Sequence, residues 1–279
     1  MLFRDPKEVA FRMLKKALSL LLTVLTLLAA FPARAETLRG YSKTAPHYQY
    51  VVLGSYPYEK DGTERPVLWW VLSVTDGEAL LFSEIILDVH QVILCSSQRD
   101  SEKRNFRRIT DYTQSDLYTW MNGEMLDTLL GDNPIRGALV ETHNGLLYPL
   151  TDTQMLTPAY GFSAGRYGTN YKERRAHASP YAKSIKMYPD WGQKLYVFDE
   201  FDTCPYWVVA FKSSSEANIM MQLCGYDGHL SWGVYTRTGV GVRPAMTLDL
   251  KKCAVTGGAG TAEDPFVLTY IGDRFEPPM

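Results

Sequence analysis

Two apolar runs that meet at Asp76-Gly77 constrain this chain more than any other feature of it. Val67-Leu68-Trp69-Trp70-Val71-Leu72-Ser73-Val74 reads as a buried strand, and Ala79-Leu80-Leu81-Phe82-Ser83-Glu84-Ile85-Ile86-Leu87 follows directly after the Asp-Gly pair. Asp and Gly tolerate the positive φ values that a two-residue hairpin turn demands, and that turn matches the natural twist of its strands. The pattern predicts a β-hairpin across 67–87.

Other elements follow from similar cues. Residues 48–58 begin as a strand and end in a Pro-containing turn. The polar stretch 96–114 reads as an exposed loop. Ser115 can cap a helix whose apolar face carries Leu117, Trp120 and Met121 at the i, i+3, i+4 spacing. That spacing makes Trp120 a core residue of the first helix. Asn122-Gly123 is expected to break or bend it, the pattern resumes at Met125, Leu126, Leu129 and Leu130, and Gly131 suits its stop. Thr151-Asp152-Thr153-Gln154 fits a capping box. Strand candidates lie at 194–199, 206–212, 217–224 and 229–235, and Val242 to Leu248 forms the last long strand before a Pro265-Phe266-Val267-Leu268 run. No internal repeat or Ser/Pro-rich linker divides the chain, so residues 36–279 are expected to form one globular domain.

The N-terminal region has the three parts of a cleavable secretory signal. Lys15 and Lys16 supply charge, residues 17–31 supply an apolar core, and Ala33-Arg34-Ala35 matches an A-x-A cleavage pattern. Residues 1–35 are therefore expected to be a signal peptide, with Met13 as its true start and Glu36 as the first residue of the mature protein. The alternative is an uncleaved anchor. The apolar core is shorter than the roughly 18–20 residues needed to span a bilayer as a helix. No later segment is long and apolar enough to span, so the expectation is a secreted or cell-surface protein with no transmembrane span after cleavage.

Charge narrows the partners. The chain carries 29 basic and 31 acidic residues, and residues 1–35 hold six of the former and two of the latter, which leaves the remainder at net −6. A mildly acidic chain has no electrostatic reason to bind nucleic acid or anionic lipid. Cys95, Cys204, Cys224 and Cys253 permit two disulfides in an oxidising compartment, and buried free thiols are the other reading. No C-x-x-C occurs, and the five histidines show no metal-ligand spacing, so no metal or cofactor is expected.

Several local phrases, in order, resemble a family of bacterial extracellular domains, domain of unknown function 6273. They are Trp70-Val71-Leu72, Leu80-Leu81-Phe82-Ser83, Ile86-Leu87-Asp88, Ser115 to Asn122, Tyr206-Trp207, Gly241-Val242-Arg243-Pro244-Ala245, and the tail Gly260 to Leu268. Together they span about residues 50–270. One departure is Val208-Val209-Ala210-Phe211-Lys212-Ser213, where the family usually carries an Arg-Ser pair. The resemblance implies an α+β, C-type-lectin-like fold related to the formylglycine-generating, sulfatase-modifying enzymes. Such a fold has a twisted, mainly antiparallel sheet, two or three short helices and long loops. The resemblance implies no established activity.

Chemistry is sparse. The copper-holding cysteine pair of the formylglycine-generating relatives would map most naturally to Cys204 and Cys224, whose surroundings do not match that motif. Cys224 and His229 flank a Gly-Tyr-Asp-Gly turn without an evident third group. Asp199-Glu200-Phe201-Asp202 reads as a solvated acidic turn rather than a calcium site.

The segment 161–191 is basic and aromatic. Tyr167, Tyr171, Arg174, Arg175 and Trp191 are its candidate ligand-binding residues, against the plainer reading of a loop packing its own aromatics. Arg243 sits beside Pro244 in an apolar strand and is expected to be buried in a structural ion pair, with Asp88 as first partner and Glu84 as second.

The functional expectation is an exported, non-catalytic domain that binds a glycan, a cell-wall component or a protein partner. Alternatives are a structural component of an exported complex or a copper/thiol enzyme. N-terminal sequencing of secreted material is expected to begin at Glu36; recovery of only intact chain from the membrane fraction would identify an anchor instead.

Overall fold

The computed structural model describes residues 38–90, 92, 111–167, 171–185, 202–215, 218–233 and 240–272. They form an α+β structure with two mixed sheets and a few short helices. The first sheet joins β1 (Tyr50–Pro57), β2 (Glu64–Thr75), β3 (Glu78–Ser83), β5 (Tyr148–Pro149), β10 (Pro244–Asp249), β11 (Cys253–Gly257) and β12 (Phe266–Tyr270) in the order β11-β12-β1-β2-β3-β10-β5. The second joins β4 (Asp88–His90), β6 (Tyr206–Ser215), β7 (Asn218–Cys224), β8 (Leu230–Gly233) and β9 (Val240–Val242) in the order β4-β9-β6-β7-β8. Pairing is antiparallel except between β1 and β12 and between β6 and β9. Among the described residues no helix is long and apolar enough to cross a membrane.

The expected hairpin is β2–β3. Its turn puts Asp76 at φ 54° and Gly77 at φ 84°, the positive values that favour those two residue types. Ala79 to Ser83 are all buried, so the hairpin lies in the interior rather than on its rim.

Ser115 caps α1 (Asp116–Trp120) by accepting a hydrogen bond from the Tyr118 N–H at 3.0 Å. At Asn122-Gly123 the helix does not end. It widens into one π-helical stretch, Met121–Met125, and continues as α2 (Leu126–Leu130). The Asn122 amide compensates locally: its Nδ2 donates to the Tyr118 and Leu147 carbonyls, and its Oδ1 accepts from the Leu146 and Leu147 N–H groups. Gly131 stops the helix at φ 47°. The Thr151–Gln154 capping box opens α3 (Asp152–Met155), and a last short helix, α4, spans Pro180–Ser184. Leu117 and Met121 are fully buried, whereas Trp120 is half-buried, stacked on the His90 ring at 4.6 Å. The 194–199 strand candidate lies outside the described residues.

The run expected as one strand from Val242 to Leu248 is two strands in two sheets. β9 belongs to the second sheet, β10 to the first, and Arg243 is the single residue between them. The chain makes the reverse crossing between β3 and β4 through residues 84–87, and the Leu87 N–H donates to the Val242 carbonyl at 3.0 Å. Pro244 opens β10 at its first position, where a strand tolerates the missing N–H.

Arg243 is fully buried, but it forms no ion pair with Asp88 or with Glu84. Register explains why Asp88 is out of reach. Asp88 lies directly opposite Val242, so those two side chains share a face and the next residue projects to the other. The Arg243 Nε donates to the Ser83 carbonyl at 2.8 Å, and the guanidinium lies 4.0 Å from the Phe82 ring centre, 4.5 Å from Trp70 and 5.4 Å from Tyr206. Trp70 and Phe82 come from the first sheet and Tyr206 from the second. The cation thus joins both sheets through aromatic faces, the Ser83 carbonyl and a long Nη1 contact to the Tyr206 hydroxyl at 3.5 Å, each desolvated face contributing about 2 kcal/mol. Asp88 is satisfied separately by the Tyr56 O–H and the Val89 N–H, each at 2.6 Å.

Arg243→Lys is expected to cost about 2–4 kcal/mol, because an ammonium lacks the extended fork that stays within reach of three rings while donating to Ser83. An unchanged midpoint in denaturant unfolding would show that the guanidinium plane is not what binds the sheets.

Candidate functional site

The basic, aromatic segment is largely consumed by its own packing. Arg174 is a correction to the expected ligand clamp: it is fully buried, its Nη2 donates to the Gly165 carbonyl at 2.6 Å and its Nη1 to Met155 at 3.3 Å. Its guanidinium covers the Tyr171 ring at 4.1 Å, which leaves that ring a seat for Arg174 rather than an open platform. The Arg174 carbonyl in turn accepts the Tyr206 O–H at 2.6 Å, fastening the segment to β6. Arg166 pairs with Asp152 at 2.9 Å, and the Glu173 carboxylate accepts the Ser163 N–H. Arg175 is half-buried, and Tyr167 is the one expected residue left in solvent, at 72% exposure. Trp191 lies outside the described residues.

Cys204, Cys224 and Cys253 are buried free thiols, so the two disulfides that four cysteines permit are not formed. Cys95 lies outside the described residues. Burial pushes the thiols of Cys204 and Cys253 up to about 11 and that of Cys224 up to about 12. All three are held protonated at neutral pH, the form that is neither nucleophile nor metal ligand. An orienting group for His229 does exist, since Asp227 pairs with its Nδ1. Yet the Cys224 Sγ points to the carbonyls of Arg174 and Gly225 and makes no bond to the imidazole. Asp202, the described part of the acidic turn, accepts the Lys183 Nζ at 2.7 Å.

A carboxylate left uncommitted among the described residues lies elsewhere, where the hairpin crosses between sheets. A cleft of about 230 Å³ opens there. Tyr56, Pro57 and Tyr58 line it from the end of β1, Arg65 to Leu68 from the start of β2, and Glu84, Ile85 and Leu87 from the β3–β4 connection. The opening of β2 is exposed at Glu64, Arg65 and Pro66 before the strand turns inward at Val67, which leaves space between the hairpin base and the connection.

Arg65 is engaged at the rim, stacked on Tyr58 at 4.3 Å and paired with Glu59. Tyr56 is buried, and its hydroxyl is spent on Asp88. Glu84 differs. It is half-buried and takes neither a hydrogen bond nor an ion pair from any described residue. Burial raises its carboxyl pKa, opposed by the charge of Arg243, by His177 and by the nearby Trp70 indole, whose N–H closes no hydrogen bond.

Sequence reasoning reached Glu84 only as a second partner for Arg243. The usable signal was its position: it continues the alternation of Leu80 and Phe82 at the end of a buried strand, where a carboxylate needs a reason to be. Comparisons with known protein families, with curated proteins and with solved structures return no match.

Two outcomes follow. Iodoacetamide at pH 7.5 is expected to leave Cys204, Cys224 and Cys253 unmodified in the native protein and to label them in denaturant; fast native labelling would expose an accessible thiolate. The raised carboxyl pKa of Glu84 means that the folded state binds this proton more tightly than the unfolded state does. That contribution to stability is present below the ordinary carboxyl range near pH 4 and is lost as pH rises through the raised value. Glu84→Gln is therefore expected to melt at or above the wild-type temperature at pH 7, with the difference closing in acid. A lower melting temperature at pH 7 would show that the ionised carboxylate supports the fold.

Proposed function

We propose that this protein is an exported, non-catalytic binding domain that takes a glycan, a cell-wall component or a protein partner at the bacterial surface through the Glu84 cleft. The observation that carries this reading is the contrast in commitment. Arg166, Arg174 and Lys183 are spent on carboxylates, internal carbonyls and an aromatic ring, whereas Glu84 is half-buried at a preformed cleft and has no ion-pair partner among the described residues. Binding sites are typically concave, mostly apolar and furnished with a few placed polar groups. Leaving a buried polar group unpaired costs free energy that a ligand can restore.

The same proposal includes membership of the 6273 family and a C-type-lectin-like fold. The ordered phrases from Trp70 to Leu268 support it, and the mixed sheets and short helices are compatible with it. The non-catalytic part is supported by the three protonated, buried thiols.

An array of glycans, cell-wall fragments and peptides probed with the mature protein tests this reading. Saturable binding that Leu68→Arg abolishes by filling the cleft is the expected result. Binding that survives that change moves the site elsewhere, and a flat array at high protein concentration removes the binding reading.

A further inference from the structure

The shape and charge of the cleft narrow its ligand. At about 230 Å³ it falls below the roughly 300–1,000 Å³ of pockets that enclose drug-sized molecules, so it has room for one side chain. Its walls are apolar where they are deep: Val67 and Leu87 are buried, and Pro57, Pro66 and Leu68 add further apolar surface. A sugar ring would bring several hydroxyls into a space that offers them few partners. A straight alkyl stem would not.

The charges at the cleft are unequal in availability. The Arg65 guanidinium is already matched by Glu59 and the Tyr58 ring. Arg243 eases the Glu84 charge from the far side of the connection but is held by Ser83 and three aromatic rings. His177, the other group that eases it, stands in solvent. The available charge is the Glu84 carboxylate, which has no ion-pair partner among the described residues and only the Trp70 indole, whose N–H closes no hydrogen bond, as a nearby donor.

From this we infer that the cleft receives a lysine side chain of a partner polypeptide, its stem against Pro57, Pro66 and Leu68 and its ε-ammonium on the Glu84 carboxylate. An ammonium supplies three donors and no acceptor, the complement of a carboxylate, and its methylene stem packs on apolar surface while the head is paired. Arginine fits less well, because Arg65 already occupies the Tyr58 face at the rim on which a second guanidinium would stack. This inference rests on the binding reading above and names the chemistry of the same site.

The test is a titration of the mature protein with the peptides acetyl-Gly-Lys-Gly-amide, its Nε-acetyl-lysine counterpart and its norleucine counterpart, followed by calorimetry or by chemical shifts of the cleft residues. The expected result is saturable binding of the lysine peptide, at least tenfold weaker binding of the other two, and a loss of at least tenfold on Glu84→Gln with the melting curve retained. Equal affinity for lysine and Nε-acetyl-lysine peptides would overturn it with no variant needed. So would free glucosamine binding more tightly than the lysine peptide, or an unchanged affinity in a folded Glu84→Gln protein. Glycans bound on the array together with a flat lysine titration would sink this inference and leave the binding reading standing, whereas a flat result in both would sink the two together.

Discussion

The two sheets are joined where a single guanidinium is buried among aromatic rings. Arg243 occupies the one-residue gap between β9 and β10, and the chain crosses between the same two sheets in the opposite direction at residues 84–87. Two crossings side by side leave backbone groups and side chains that belong to neither ladder. Arg243 answers both needs. Its Nε satisfies the carbonyl of Ser83, the last residue of β3, and its plane fills the space bounded by Trp70, Phe82 and Tyr206. A carboxylate partner would have brought a second desolvated ion into the same place. Aromatic faces attract the cation without that cost, at a magnitude of about 2 kcal/mol each when desolvated.

The consequences spread outward along stacked groups. Trp70 carries Tyr48 on its other side at 4.7 Å, and the Tyr48 hydroxyl donates to the Tyr160 carbonyl, tying the chain before β1 to the end of the short turn at 158–160. Tyr206 donates to the Arg174 carbonyl and accepts from the Arg243 Nη1 at 3.5 Å, so the backbone at the second buried arginine is linked to the guanidinium of the first through one phenol. The basic segment is thereby an extension of the core. Arg174 is turned inward, and its carbonyl, met by the Tyr206 hydroxyl and the Cys224 thiol, holds this part of the chain against β6 and β7.

The cleft beside the junction inherits its rigidity from the same arrangement. Glu84 follows Ser83 directly, so this lining residue of the cleft is one peptide bond from the carbonyl that Arg243 pins. Tyr56, at the back of the cleft, is held by the buried Asp88 carboxylate. These polar contacts keep the wall in place, and a preformed wall lowers the ordering cost of binding.

Much of the local structure was legible in the amino-acid order, because short-range chemistry decides it. Asp76-Gly77 specified its turn through positive φ, Ser115 and Thr151 specified helix starts through their hydroxyls, and the spacing of Leu117 and Met121 specified a buried stripe. The burial of Arg243 was legible too, from its apolar neighbours. Its partner was not. Whether Asp88 or an aromatic face meets that guanidinium depends on which side of a ladder residue 243 projects from, and that follows from the β4–β9 register and from the strand's division between sheets. The same holds for Arg174 and Glu84. Composition placed six cations near one another in 161–191 and a lone carboxylate after a strand, but long-range packing decided that Arg174 would be enclosed by Gly165, Met155 and Tyr171 and that Glu84 would be left facing a cleft. Side-chain type and local spacing set what each residue can do, and only contacts between residues far apart in sequence set which of those capacities the fold uses up.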